Sequence, residues 1–239
     1  MKKTLSFLVL IFIGAGFSAC SFGIYKKISF KTIPIQNNKN LTLNSVDSIV
    51  NPYKISIDKE MNQVIAKAAV DFVKNKPNGN LNNLIADIIL STKKDFQIQT
   101  ENVICLQNIG GLRAPINKGD VTLGDIFKVL PFDNFVVAVK LPPTSIPKII
   151  AWITASNGHP VAGCKITKDQ IIMNNLKILD TDFWVITSDY LLNGGDNASF
   201  FSDKLELKES GILLRDVVIN YLKINPLLLD DNKERIKLN

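Results

Sequence analysis

An apolar run, Val103-Ile104-Cys105-Leu106, leads almost directly into a glycine-rich segment, Asn108-Ile109-Gly110-Gly111-Leu112-Arg113. This junction constrains the fold more than any other feature of the chain. The apolar run reads as a buried strand that delivers Asn108 to its end. The paired glycines there let the backbone turn tightly and approach a ligand closely. Arg113 follows at once, in a chain whose other arginines are Arg215 and Arg235. A planar guanidinium suits the grip of a phosphate or carboxylate through two parallel hydrogen bonds. Downstream, Thr122 is placed to cap a short helix with Asp125 in its first turn. That helix runs into Leu130-Pro131-Phe132, where a proline fixes a loop that presents an aromatic ring.

The remaining pattern predicts interleaved strands and helices. Val46 to Met61 suits a helix interrupted or kinked near Pro52, followed by a strand over Val64–Phe72. Leu81, Leu84, Ile85 and Ile88 recur at helical spacing, as the inward stripe of a short helix. Ile146, Ile149, Ile150 and Ile153 form a second stripe, with Thr144 as its cap and Pro147 tolerated in the first turn. Further strands are expected over Val136–Leu141, Val161–Ile166, Ile171–Met173 and Phe183–Thr187. Ile212–Leu222 reads as a closing helix and Asp231–Asn239 as a charged tail. There is no strict βαβ rhythm. The expectation is an α/β (α+β) domain over residues 46–239, a mixed β-sheet flanked by helices.

At its glycine-rich core the sequence resembles a known family. Asn-x-Gly-Gly-Leu-Arg-Ala from Asn108, then Gly119-Asp120-Val121-Thr122, then Leu130-Pro131-Phe132-Asp133-Asn134, is similar to the C-terminal domain of the 5'-nucleotidase family. Thr187-Ser188-Asp189-Tyr190-Leu191-Leu192-Asn193-Gly194-Gly195-Asp196 carries a second family motif, and Gly79 to Asp87 a weaker third. The resemblance spans roughly Asn51 to Ile236. It implies a nucleoside or nucleotide ligand whose base lies between the rings of Phe132 and Tyr190, a contact that any base face can make. It also implies that Asn108 hydrogen-bonds the base, Asp196 accepts from the ribose hydroxyls and Arg113 faces the phosphate. Gly110 and Gly111 would allow the close approach, and Asn193 and Gly195 would shape the turn that carries Asp196. On composition alone each residue has a plainer role: core packing for the rings, a turn or helix cap for Asp196, a salt bridge for Arg113. One departure bears on the ligand. The family often carries a further arginine before the third motif, where this chain has Lys74-Asn75-Lys76-Pro77-Asn78-Gly79. Lys76 is a candidate point charge in its place, and nucleoside and nucleotide both remain open.

The same resemblance implies that hydrolysis belongs to a separate metallophosphatase domain holding two metal ions. A two-metal centre needs several nitrogen and carboxylate ligands. This chain has one histidine, His159, and no counterpart of that domain is expected ahead of Asn51. His159, between Gly158 and Pro160, reads as a surface turn residue rather than a base. No nucleophile elbow, Walker loop or Cys/His pair appears. No cofactor or metal is therefore expected in this chain, and a divalent metal pair is expected in a partner. Two functions follow. The chain is either the nucleotide-binding half of a split 5'-nucleotidase, working in nucleotide catabolism with a separate metallophosphatase subunit, or a non-catalytic nucleoside/nucleotide-binding lipoprotein.

The start of the chain bears on location. Lys2 and Lys3 precede an apolar run, Leu5 to Ile13, and small residues then lead to Phe17-Ser18-Ala19-Cys20. Residues 1–19 read as a secretory signal peptide. The cysteine after a small-residue cleavage site resembles the bacterial lipobox, which implies acylation of Cys20 and a lipid anchor in the cell envelope. An ordinary signal with an incidental cysteine is the competing reading. Residues 20–45 read as a lipid-anchored tether with one strand near Ile28–Ile35. The formal charge of +6 reflects lysine scattered through the chain. No basic block interleaves with aromatics, so no nucleic-acid partner is expected. Cys105 and Cys164 lie in apolar segments and are expected as unpaired core residues.

Overall fold

The inner strands of the largest sheet alternate between two hydrophobic cores, and this period of two is what places helices on both of its faces. The computed structural model describes residues 44–173, 176–177 and 181–238. The expected signal sequence, Cys20 and the strand near 28–35 lie outside the described residues. The elements in chain order begin with α1 (Asn44–Met61), β1 (Val64–Ala68), α2 (Asn80–Leu90), β2 (Val103–Leu106), β3 (Gly119–Thr122) and α3 (Leu123–Val129). They continue with β4 (Phe135–Leu141), α4 (Ile146–Ala155), β5 (Val161–Ala162), β6 (Lys165–Thr167), β7 (Ile171–Met173), β8 (Leu176–Lys177) and β9 (Phe183–Ser188). The last are α5 (Asp189–Leu192), β10 (Glu206–Leu213), α6 (Leu214–Ile224), β11 (Leu227–Leu228) and β12 (Ile236–Lys237).

The five-stranded sheet has the order β10-β4-β9-β2-β5. β2 and β9 run parallel, while β4, β5 and β10 pair antiparallel, so the sheet is mixed as expected. Val103, Cys105, Val136, Ala138, Trp184 and Ile186 face one core with α2, α3 and α6. Their sequence neighbours Ile104, Leu106, Val137, Val139, Phe183 and Val185 face the other, packed by Ile149, Ile150 and Ile153 of α4. Two smaller sheets, β11-β1-β3 and β12-β6-β7-β8, flank it. Thr122 and Asp125 make the expected reciprocal capping box at the start of α3. Cys105 and Cys164 are free and buried, and burial pushes the Cys164 thiol up to about 12. No helix among the described residues is long and apolar enough to cross a membrane.

Several expectations are corrected. The helix expected to be interrupted or kinked near Pro52 is not interrupted there: α1 runs on through this proline. The strand from Val64 ends at Ala68, and Phe72 keeps only an isolated bridge to Ile116. The single strand expected over 161–166 is two, in different sheets. Gly163 breaks it at φ +75, and a Cβ there would lie 2.7 Å from the Val103 carbonyl. Ser145, not Thr144, precedes α4, and its side chain makes no cap. Residues 212 and 213 end β10, a half-exposed edge strand whose charged residues hid its pattern, and α6 begins at Leu214. Nor is the C-terminus a tail. Arg235 is buried against Asp87 and Asp231, and Ile236–Lys237 pairs with β6.

Candidate ligand-binding site

Strand direction gathers three loops at one edge of the large sheet. β2 and β9 are parallel neighbours, so their carboxyl ends, leading to Asn108 and Tyr190, emerge together. β4 runs against β9 with Val136 opposite Ser188, so the loop entering β4, with Phe132 and Asn134, arrives at the same edge. Clefts outside the carboxyl ends of neighbouring strands are the usual ligand positions in open α/β sheets. Here Asn108, Gly110, Arg113, Phe132, Asn134, Tyr190 and Asp196 line a cleft of about 310 Å³. That volume lies in the range of small-molecule sites.

Each loop is held by specific bonds. Ser188 caps α5 by accepting from the Leu191 N–H, and Asp189 accepts from the Tyr190 and Phe135 amides, tying α5 to β4. Buried Arg215 donates to the Leu130 carbonyl at 3.2 Å and pairs with Asp133 at 2.6 Å, which fixes the residues on either side of Phe132. Phe132 and Tyr190 are 50% and 40% exposed, so each ring keeps a free face. Gly195 lies directly against Tyr190, where a Cβ would come within 2.4 Å of the ring. A Cβ on Gly110 would lie 3.5 Å from the Asn108 amide nitrogen and 3.8 Å from an Asp196 carboxylate oxygen, so this glycine keeps open the space between them.

The charged side chains near the cleft differ in what they already engage. Arg215 and Arg235 are committed to carboxylates. Arg113 has no carboxylate partner among the described residues, and its guanidinium reaches only the Gly110 carbonyl, at 3.5 Å. The Tyr190 hydroxyl donates to Asp196 at 2.9 Å, and that bond to the carboxylate holds the hydroxyl above its usual range. Asp196 adopts a left-handed conformation at φ 48. Among the described residues no cluster of three or more His, Cys, Asp or Glu is arranged to hold a metal ion.

Of the residues expected from sequence, Asn108, Gly110, Arg113, Phe132, Tyr190 and Asp196 come together in this cleft. Asn193 and Gly195 instead line a neighbouring depression that shares Asn134 and Tyr190 with the cleft. Gly111 is in the turn but packs toward the Asn108 side chain. Asn134 lines both spaces and was not singled out, although it closes the Leu-Pro-Phe-Asp-Asn motif. Lys76 is turned to the Ser156 carbonyl. His159 is corrected most: it is 4% exposed and stacked on Trp152, and burial together with the positive charge of Lys76 pushes its imidazole down to about 4.

Residues 64–203 match the profile of the family described as 5'-nucleotidase, C-terminal domain. The chain belongs to this family. As a 5'-nucleotidase C-terminal domain it is 23% identical to an apyrase of Tabanus yao, over 76% of this chain and 39% of that protein. It is 22% identical to the human 5'-nucleotidase, over 81% of this chain and 40% of that one. The chain thus spans about two fifths of these relatives. Among solved structures, the 5'-nucleotidase precursor of Thermus thermophilus superposes with a TM-score of 0.69 at 24% identity, covering 82% of this chain and 43% of that one. The NAD nucleotidase of Haemophilus influenzae gives 0.63 at 16%, covering 82% and 41%. At these identities the structural likeness establishes the fold.

Proposed function

We propose that this chain is the nucleotide-binding half of a split 5'-nucleotidase, held at the cell envelope by a lipid on Cys20 and completed by a separate metallophosphatase chain. The observation that carries the reading is the cleft itself. Two half-exposed rings, two amides, one free guanidinium and one carboxylate converge there from three loops. A base between Phe132 and Tyr190 is held by dispersion and stacking on both faces. Asn108 and Asn134 offer donors and acceptors to the base edge. Asp196 accepts from ribose hydroxyls, and Arg113 is the cation for a phosphate or its departing product. Family membership supports the ligand class, and similarity to a 5'-nucleotidase and an apyrase supports a role in nucleotide catabolism.

Catalysis is assigned to the partner because the chain has a single histidine, and His159 is buried with its Nδ1 taken up by the Ile109 N–H. A two-metal hydrolytic centre, if brought by the partner, would polarise the phosphoryl oxygens and activate water. This chain would orient the nucleotide toward it. The test is a phosphatase assay on AMP with the purified chain, alone and with a metallophosphatase chain, in manganese or zinc. Binding without hydrolysis by the chain alone, and hydrolysis on addition of the partner, is expected. Hydrolysis by the rigorously purified chain alone overturns the division of labour. Binding with no activation by any partner favours a lipoprotein that only captures nucleosides or nucleotides.

A further inference from the structure

Two turns of the cleft are joined by a side-chain pair that does not line it. Trp152 of α4 and His159 of the following loop stack in parallel, with ring centroids 3.8 Å apart and an interplanar angle of 4°. Both are buried. The Trp152 indole N–H donates to the Asp196 carbonyl at 2.8 Å. On the other side of the stack, His159 Nδ1 accepts from the Ile109 N–H at 3.2 Å, within the turn that follows Asn108. An accepting Nδ1 puts the proton of the neutral ring on Nε2, which is buried without a hydrogen-bond partner among the described residues. A continuous path therefore runs from the carboxylate end of the cleft to its amide end through two aromatic rings.

Asp196 and Asn197 occupy consecutive left-handed positions, at φ 48 and φ 61, a region uncommon for side-chain-bearing residues and most accessible to Asn and Asp. A residue in such a region persists where its neighbours over-determine it. Asp196 is held from two directions, by the Tyr190 hydroxyl on its carboxylate and by the Trp152 indole on its carbonyl. We propose that Trp152 is the positioning residue for the ribose end of the site, and that its stack on His159 ties this end to the Asn108–Gly111 turn. Neither residue touches the ligand. The inference rests on the nucleoside reading above, and it adds a residue on which selectivity for the ribose hydroxyls depends.

The substitution Trp152→Phe keeps an aromatic ring against the imidazole and removes only the indole donor. Binding of adenosine and of 2',3'-dideoxyadenosine is measured by calorimetry on the unaltered protein and the variant. The variant is expected to lose adenosine affinity about tenfold, the scale of one oriented charge-assisted contact, and to bind the dideoxynucleoside as before. Equal losses for both ligands, or no loss, overturn the proposal. Where the variant fails to fold, the indole proton resonance of Trp152 in the unaltered protein carries the test. It shifts on saturation with adenosine and stays in place with dideoxyadenosine; the same response to both, or to neither, overturns the proposal. If the unaltered protein binds neither nucleoside, the nucleoside reading itself falls. If it binds them and only the discrimination is missing, the brace alone falls.

Discussion

Replacing Phe132 with alanine separates a binding role from a packing role, because the ring is half in and half out of the protein. At 50% exposure, removing the packed half costs about 1 kcal/mol of stability, about half of a fully buried phenylalanine. Of the free half a base would cover roughly 80 Å², and at 25 cal/mol per Å² that contact is worth about 2 kcal/mol. Alanine substitution at stacked bases gives a similar range, about 1–3 kcal/mol. Adenosine affinity should therefore fall about thirtyfold in Phe132→Ala, measured by isothermal titration calorimetry, while urea unfolding shows only the small loss. Phe135→Ala is the control, since Phe135 is 43% exposed but does not line the cleft, and its loss should leave affinity unchanged. An unchanged affinity in folded Phe132→Ala would refute the stacking role. A loss of equal size in Phe135→Ala would assign the effect to general damage.

Three further outcomes follow from the geometry. Gly195→Ala puts a methyl group within 2.4 Å of the Tyr190 ring, so the ring must move and adenosine affinity should drop about tenfold with the fold retained by circular dichroism. His159 has a folded-state pKa depressed to about 4 from an ordinary 6.5, so the unfolded chain takes up its proton first. Stability is full above pH 6.5 and falls by about 3 kcal/mol as the pH drops toward 4; urea midpoints across that window should show the slope, and His159→Gln should remove it. Arg235→Met strands Asp87 and Asp231 beside an apolar side chain, and should lower unfolding free energy by about 3 kcal/mol, read from the urea midpoint.

What the sequence by itself determined was local. The apolar runs Val103–Leu106 and Val136–Val139, the glycines after Asn108 and the capping box at Thr122 are each written in consecutive residues, because strand and helix periods and turn chemistry act over a few positions. The motif residues were legible for the same reason, and six of them come together in one cleft. Tertiary structure decided whatever depended on a distant partner. Asp231–Asn239 looked like a solvated tail because its charges were visible and Asp87, 148 positions from Arg235, was not. His159 looked like a turn residue because nothing nearby in sequence announces that Trp152 will lie flat against it and that the Ile109 amide, 50 positions away, will meet its ring nitrogen. Glu206–Leu213 concealed a strand because an edge strand buries too little of either face to print an alternation. Burial and pairing of polar groups are properties of the assembled sheet, and only the assembled sheet could assign them.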